Sequence, residues 1–129
     1  MIVADVNLVA YLYLPNQFSE RAEERLLADS DWAVPRLWRS EFRNILATYM
    51  RLGSLSLETA TSIYASAAAL LADNEHDVVA AAVLRLAKHS RCSAYDCEYV
   101  ALAEFLDVKL VTADSKLRKA FPDRVIAFP

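Results

Sequence analysis

Short apolar runs alternate with helix-patterned segments along this chain, and that alternation limits the folds open to it. Five runs are strand-like, at residues 1–5, 32–35, within 70–74, 109–112 and 125–128. The spacing of apolar residues between them predicts helices at 7–14, 19–28, 37–52, 57–71, 76–89, 94–106 and 115–121. Strands that alternate with helices predict a central, mainly parallel sheet covered on both faces, an α/β/α sandwich in three layers. Ligands of such folds bind beyond the carboxyl ends of the strands.

Length and composition favour one domain over residues 1–129. Apolar residues make up 56% of the chain, which is ample for a core, and we find no linker or low-complexity stretch. Gly53 is the only glycine, so the chain lacks the several glycines that a phosphate-binding P-loop or a dinucleotide fingerprint needs. The net charge of −3 argues against nucleic-acid binding through a diffuse basic surface, but not against a local basic rim.

The chain carries no segment that predicts export or membrane insertion. Its start has no basic region followed by a long apolar stretch, and the most apolar run, residues 65–72, is far short of the ~20 residues that a spanning helix needs. Cys92 and Cys97 do not form a CxxC motif and are expected to be reduced. His76 and His89 lack the spacing of metal ligands. We therefore expect a cytoplasmic protein that does not associate with membranes.

Three aspartates stand at places where helices are predicted to begin. Asp5 ends the first apolar run, Asp114 follows the run 108–113, and Asp96 lies in the first turn of the predicted helix 94–106. Each has an explanation that involves no function, because an acid near a helix N-terminus is stabilised by free amides and by the helix dipole. Capping alone therefore remains an alternative for each of the three.

Glu41 differs because it lies within a predicted helix, on the face that carries Leu37, Trp38 and Ile45. A solvated glutamate normally occupies the opposite, polar face of such a helix. A buried salt bridge to Arg39, Arg43 or a more distant base is the structural alternative for this position.

The four acids together predict a metal site. Asp5 and Asp114 both follow strands, so both are expected at the same edge of a parallel sheet, and Asp96 is expected near it. Carboxylates that meet in a low dielectric repel one another unless they share a cation. Oxygen ligands without histidine favour Mg²⁺ or Mn²⁺ over Zn²⁺, and a cation held by carboxylates suggests phosphate chemistry.

Four segments carry a resemblance to a known family. They are Ile2-Val3-Ala4-Asp5-Val6-Asn7, Arg39-Ser40-Glu41-Phe42-Arg43-Asn44, Ser93-Ala94-Tyr95-Asp96-Cys97-Glu98-Tyr99-Val100-Ala101-Leu102-Ala103 and Leu110-Val111-Thr112-Ala113-Asp114-Ser115-Lys116-Leu117. In order and spacing the chain resembles the PIN-domain family, and most of all the VapC-type ribonuclease toxins of type II toxin–antitoxin systems. The resemblance implies an α/β/α domain whose acids hold Mg²⁺ or Mn²⁺ and cleave RNA to a 5′-phosphate and a 3′-hydroxyl.

The resemblance also implies roles for individual residues. Asp5, Glu41, Asp96 and Asp114 match the four acids that bind metal and catalyse, and Asn7 and Thr112 match the polar residues that support them. Two positions depart from the family pattern. Val6 replaces a hydroxyl residue, and Asp107 replaces a glycine before a strand, where aspartate tolerates the turn.

Partners follow from the same resemblance, which implies a cognate antitoxin protein and a homodimer. Trp38, Phe42 and Tyr49, with the nearly all-apolar helix 57–71, offer a surface for such a partner, although core packing explains them equally well. Arg43 and Lys116 are the basic residues we expect on RNA phosphates, against the alternative of ordinary solvated charges.

Two other functions remain open from the sequence. The first is a catalytically inert PIN-like domain that binds RNA or protein, which would have no need for four mutually repelling acids. The second is a phosphatase with an N-terminal aspartate nucleophile, which usually needs a second aspartate where this chain has Asn7.

Overall fold

The computed structural model describes all residues from Met1 to Pro129. A five-stranded sheet in the order β3-β2-β1-β4-β5 runs through the molecule, and every neighbouring pair of strands is parallel. The elements are β1 (Ile2–Ala4), α1 (Val6–Tyr13), α2 (Ser19–Ala28), β2 (Trp32–Pro35), α3 (Trp38–Arg51), α4 (Leu57–Leu71), β3 (Glu75–His76), α5 (Ala80–Ser90), α6 (Ala94–Leu106), β4 (Leu110–Thr112), α7 (Ser115–Ala120) and β5 (Val125–Ala127). Helices flank the sheet, so the predicted α/β/α architecture is confirmed.

The third strand and the fifth helix differ from the sequence prediction. The sequence predicts the strand within residues 70–74, but α4 runs through Leu71, whose side chain is buried, and a 3-10 turn follows it. The strand lies at Glu75 and His76, which pair with Val34 and Pro35 of β2. Helix α5 consequently begins at Ala80 rather than at residue 76. A two-residue edge strand without apolar side chains has no periodic pattern by which sequence could locate it.

The hydrophobic core is one cluster of 32 buried residues around the central strands. Trp38 and Phe42 of α3 are fully buried within it, and both rings pack near the ring of Tyr64 from α4. Of the two explanations left open by the sequence, core packing is therefore correct for Trp38 and Phe42, and a free partner surface is not. Helix α4 still exposes Leu57 and Leu70. No helix combines the length and the apolar character needed to cross a bilayer.

The register of the central strands sets the position of the acids. Strand β1 lies between β2 and β4, with Ala4 opposite Val111. The Asp5 amide extends this pairing by donating to the Val111 carbonyl over 3.2 Å. Asp5 consequently lies beside Thr112 at the carboxyl edge of the sheet, the edge at which open parallel sheets bind ligands.

Three helices are followed by residues in the left-handed region. Gly53, with φ of 79°, comes after α3, and its amide donates to the Met50 carbonyl over 3.0 Å. Arg91, with φ of 63°, ends α5, and Asp107, with φ of 53°, ends α6 at the position where the family pattern has glycine. Aspartate is among the few residues that adopt this conformation at modest cost, so the chain keeps the turn after α6 without the glycine.

Candidate active site

Thr112 connects two of the acids at the carboxyl edge of the sheet. Its side chain is only 1% exposed, and its hydroxyl donates a hydrogen bond to Oδ2 of Asp5. The same hydroxyl oxygen accepts from the Asp114 amide over 3.1 Å. The ends of β1 and β4 are thereby held in register at the point where the two aspartates leave the sheet.

Asp114 caps the helix that follows it. Its Oδ1 accepts from the amides of Lys116 at 2.8 Å and Leu117 at 3.3 Å. The capping interpretation is therefore correct for this residue, and it uses one of the two carboxyl oxygens. Asp5 behaves differently, because the amides of Val6 and Asn7 approach its carboxyl group without the geometry of a capping hydrogen bond.

Asp96 lies in the first turn of α6, close to Asp114 and Lys116. The Ser93 hydroxyl caps this helix by accepting from the Asp96 amide over 3.0 Å. Partial burial raises the pKa of the Asp96 carboxyl, the Ser93 hydroxyl lowers it, and the Asp114 charge raises it further. Lys116 lowers the same pKa by its positive charge, although the two groups form no ion pair.

Glu41 makes no salt bridge, so the alternative that it forms a buried salt bridge with Arg39, Arg43 or a more distant base is wrong. Arg39 instead pairs with Glu75 at 2.6 Å, and Arg43 donates to the hydroxyl groups of Ser40 and Tyr64. Glu41 is half-buried, and its Oε1 accepts a 2.6 Å hydrogen bond from the hydroxyl of Tyr99. Sequence reasoning did not identify Tyr99 as a site residue. The available signal was its spacing, three residues after Asp96 on the same helix.

The charges of the acids act on one another across the sheet edge. Burial raises the pKa of Asp5 most, and the Asp96 charge raises it too, while the Thr112 hydroxyl and the amides of Asn7 and Val6 lower it. Burial also raises the pKa of Glu41, with added contributions from the charges of Asp5 and Asp96. None of the five ion pairs in the protein includes any of the four acids. The site therefore concentrates negative charge that no salt bridge neutralises, and Lys116 is the basic residue whose charge acts on it.

The donor chemistry of the four acids fits Mg²⁺ or Mn²⁺, which prefer carboxylate oxygen. The side chains are not as tightly grouped as a coordination sphere, since no three acid, histidine or cysteine side chains lie close enough to hold one ion. Like charges repel, and Asp5, Glu41 and Asp114 each direct one oxygen to a hydrogen-bond donor of the protein. The charges of the acids therefore act on one another at this edge, although their side chains are not grouped around one point.

An open cleft of about 390 Å³ lies over part of this edge. Its wall includes Glu41 and Asp96 and the polar residues Ser40, Asn44 and Ser93. A more enclosed apolar cavity of about 300 Å³, between α5 and α6, contains none of the four acids. We place the candidate site at the polar cleft because Glu41 and Asp96, two of the four acids, line it and have raised pKa values.

The other predicted site residues, Lys116, Arg43 and Asn7, differ in their surroundings and in their relation to the acids. Lys116 is exposed in the first turn of α7. Arg43 lies over the ring of Tyr64, 5.7 Å from its centre, and lines a separate cleft between α3 and α4. The Asn7 side chain is exposed and makes no hydrogen bond, and only its amide is directed at the Asp5 carboxyl. The structure therefore brings Lys116 to the acids more directly than Arg43.

Comparison with known proteins adds an independent line of information. A family model described as the PIN domain matches residues 2–121. Ribonuclease VapC3 of Pyrobaculum aerophilum is 31% identical over 125 residues, which cover 94% of this chain and 95% of that protein.

Two solved structures share the fold. The crystal structure of FitAcB from Neisseria gonorrhoeae superposes with a TM-score of 0.75 at 20% identity, over 100% of this chain and 97% of that one. The structure of FitAB bound to an IR36 DNA fragment superposes with a TM-score of 0.77 at 18% identity, over 98% of this chain and 94% of that one.

Proposed function

Because this chain belongs to the PIN domain family, we propose that it is a divalent-metal-dependent endoribonuclease and the toxin of a type II toxin–antitoxin pair. The observation that carries the proposal is that Asp5, Glu41, Asp96 and Asp114 lie near one sheet edge, where their charges act on one another and none forms a salt bridge. Isolated buried carboxylates are unfavourable, and a shared cation offsets that cost. The similarity to Ribonuclease VapC3 supports RNA as the substrate.

Asp5, Asp96 and Asp114 are the residues we assign to Mg²⁺ or Mn²⁺, and Glu41 is either a further ligand or the group that orients the attacking water. A divalent ion at this edge supplies charge neutralisation for a phosphodiester and acidifies water near it. Thr112 holds Asp5 in place and supports the loop that carries Asp114. Partial burial of the carboxyl groups limits competing hydration, so their charge acts strongly on a bound ion.

Lys116 is the residue we favour for contact with an RNA phosphate. It lies in the turn that Asp114 caps, and its charge already acts on Asp96. A cation beside the metal-binding acids can hold the substrate phosphate without entering the coordination sphere. Arg43 is a weaker proposal, because its guanidinium already contacts Ser40 and Tyr64.

We further propose residues 1–129 as one domain in a cytoplasmic protein that forms a homodimer and binds a cognate antitoxin. The similarity to VapC-type toxins supports these partners. Large apolar side chains remain exposed on α5 and α6, among them Leu84 and Phe105. Size-exclusion chromatography with light scattering tests the dimer, and a monomer at micromolar concentration would contradict it.

RNA cleavage tests the activity. We expect cleavage of single-stranded RNA with Mn²⁺ or Mg²⁺, none with EDTA, and loss of at least 100-fold in Asp5→Asn and Asp96→Asn, because each variant removes a proposed ligand. Asp73→Asn is the matched control, since Asp73 is exposed and has no partner. Cleavage that persists in EDTA, or full activity in both site variants, would refute the proposal.

An inert PIN-like scaffold that binds RNA or protein is the second candidate. The observation that favours it is that no three acidic side chains are grouped closely enough for one ion. This candidate predicts no heat of Mn²⁺ binding at concentrations that saturate active nucleases, and it predicts RNA binding that does not respond to EDTA.

A further inference from the structure

The buried side chain of Tyr99 links, by a hydrogen bond, the two helices that carry Glu41 and Asp96. It lies on α6 and is only 2% exposed. Its hydroxyl donates to Oε1 of Glu41 on α3 over 2.6 Å, between residues 58 positions apart in sequence. A hydrogen bond this short, to a charged acceptor, belongs to the strong class of protein hydrogen bonds.

Glu41 has no other partner in the protein. It makes no ion pair, and its second carboxyl oxygen, Oε2, accepts no hydrogen bond. Glu41 also lines the polar cleft. The Tyr99 hydroxyl therefore holds one oxygen of a side chain with three rotatable torsions and leaves the other oxygen available to a ligand.

Burial of the Tyr99 ring does not by itself require a hydrogen bond from its hydroxyl to a carboxylate. A buried hydroxyl needs one acceptor, and a backbone carbonyl can serve as that acceptor. The more exposed hydroxyl of Tyr13, for example, donates to the Ser66 carbonyl over 3.3 Å. Here the acceptor is a carboxyl group whose own pKa burial has raised. Tyr99 also lies three residues after Asp96, so one helix positions both a site acid and the donor that holds another.

We infer that Tyr99 is a positioning residue, which fixes Glu41 through its hydroxyl so that the free oxygen meets a divalent ion or its water beside Asp96. This inference rests on the proposed function. Holding a flexible carboxylate in place before the ligand arrives removes an entropy cost from binding. The expected consequence is tighter metal binding and faster turnover than an unheld Glu41 would give.

A double-mutant cycle with Tyr99→Phe and Glu41→Gln tests the inference. We expect Tyr99→Phe to weaken Mn²⁺ binding about 10-fold by calorimetry and to lower kcat with little change in KM for RNA. In the Glu41→Gln background the same change should have no further effect on Mn²⁺ affinity, because Tyr99 acts only through Glu41. Tyr13→Phe is the matched control, since it also removes one hydroxyl and is expected to match wild type.

The outcomes separate this inference from the proposed function. Wild-type Mn²⁺ affinity and kcat in Tyr99→Phe, or losses that simply add in the double variant, would overturn the role of Tyr99 while leaving the nuclease in place. A wild-type protein that neither binds Mn²⁺ nor cleaves RNA would overturn the proposed function itself.

A second variant keeps the test valid if Tyr99→Phe does not fold. Replacing Tyr99 by 3-fluorotyrosine preserves the ring and makes the hydroxyl a stronger donor, which holds Glu41 more firmly. We expect tighter Mn²⁺ binding with the substitution at Tyr99 and no change with the same substitution at Tyr13. Equal Mn²⁺ affinities for the two proteins would contradict the positioning role.

Discussion

The negative charge of Asp5 is unfavourable in the surroundings of its carboxyl group. Its carboxyl group is largely removed from water, the Asp96 charge lies nearby, and no basic side chain pairs with it. The Thr112 hydroxyl and the neighbouring amides compensate only in part, so the pKa of Asp5 stays raised. Residues kept at such a cost to stability are typical of functional sites.

Asp5→Asn is expected to stabilise the metal-free protein. The amide removes the buried charge but keeps an oxygen that accepts from Thr112, so the free energy of unfolding should rise by roughly 0.5–2 kcal/mol at neutral pH. Urea unfolding in EDTA measures the change, with Asp73→Asn as the control. A variant less stable than wild type that still cleaves RNA would contradict this account of Asp5.

The pH dependence of stability follows from the same shifts. The pKa values of Asp5, Glu41 and Asp96 are raised in the folded state. An unfolded chain loses its carboxyl protons in the ordinary range near pH 4, so just above that range the folded protein holds more protons than the unfolded chain. Their contribution to stability is full below that range and is lost as the pH rises through the folded pKa values.

We therefore expect the three acids to make the unfolding free energy of the metal-free protein fall as the pH rises from about 4. Urea unfolding in EDTA across this range should give a less negative slope in Asp5→Asn and Glu41→Gln than in wild type. Identical slopes in wild type and both variants would show that these acids titrate normally.

Asp114 allows capping and metal binding to be separated. Asparagine caps a helix about as well as aspartate, so Asp114→Asn should keep wild-type stability and lose RNA cleavage, whereas Asp114→Ala should lose about 1 kcal/mol of stability as well. Thermal unfolding and cleavage assays on both variants provide the measurement. Full activity in Asp114→Asn would leave capping as the only role of this residue.

At the scale of the elements, the backbone at Gly53 limits what can replace it. A Cβ at this position would have no other atom within 4 Å, so the constraint is the φ of 79° and not crowding. Gly53→Ala should lower the free energy of unfolding by about 1 kcal/mol. Gly53→Asn should cost less, because asparagine adopts this conformation more readily. Equal urea midpoints for the two variants would contradict a conformational cause.

Sequence patterns located most elements because local chemistry defines their ends. The bounds of α2, α4, α6 and β2 agree with prediction, and serine caps such as Ser56 and Ser93 explain where two of those helices begin. Strand β3 lies outside its predicted range because its two residues are placed by contacts with distant residues, such as the pairing with β2 and the contact between Glu75 and Arg39. Such tertiary contacts leave no local pattern.

The candidate site likewise has residues that the sequence predicts and contacts that it does not predict. Acids that follow strands or open helices can be placed at one sheet edge from their order alone, and Asp5, Asp96 and Asp114 lie there. The Tyr99 contact with Glu41 depends on how α6 packs relative to α3, which spacing does not determine. Trp38 and Phe42 were ambiguous for a related reason, since an apolar helix face looks the same whether the core or a partner covers it.

At the scale of the whole molecule, the parallel sheet makes the site possible. Strand order β2-β1-β4 puts the ends of β1 and β4 side by side, and α3 and α6 bring Glu41 and Asp96 to the same edge. Residues more than 100 positions apart in sequence thereby meet through the topology, as the hydrogen bond between Thr112 and Asp5 demonstrates. The fold supplies the convergence of the acids, and the chemistry we propose depends on their side chains.

Calorimetric titration of the metal-free protein with Mn²⁺ tests the central claim most directly, which is that the carboxylates of Asp5, Asp96 and Asp114 share a divalent ion. We expect saturable binding in wild type and in the control Asp73→Asn, and binding weakened by at least 10-fold in Asp5→Asn, Asp96→Asn and Asp114→Asn. Absence of binding in wild type, or equal affinity in all of these proteins, would contradict the claim.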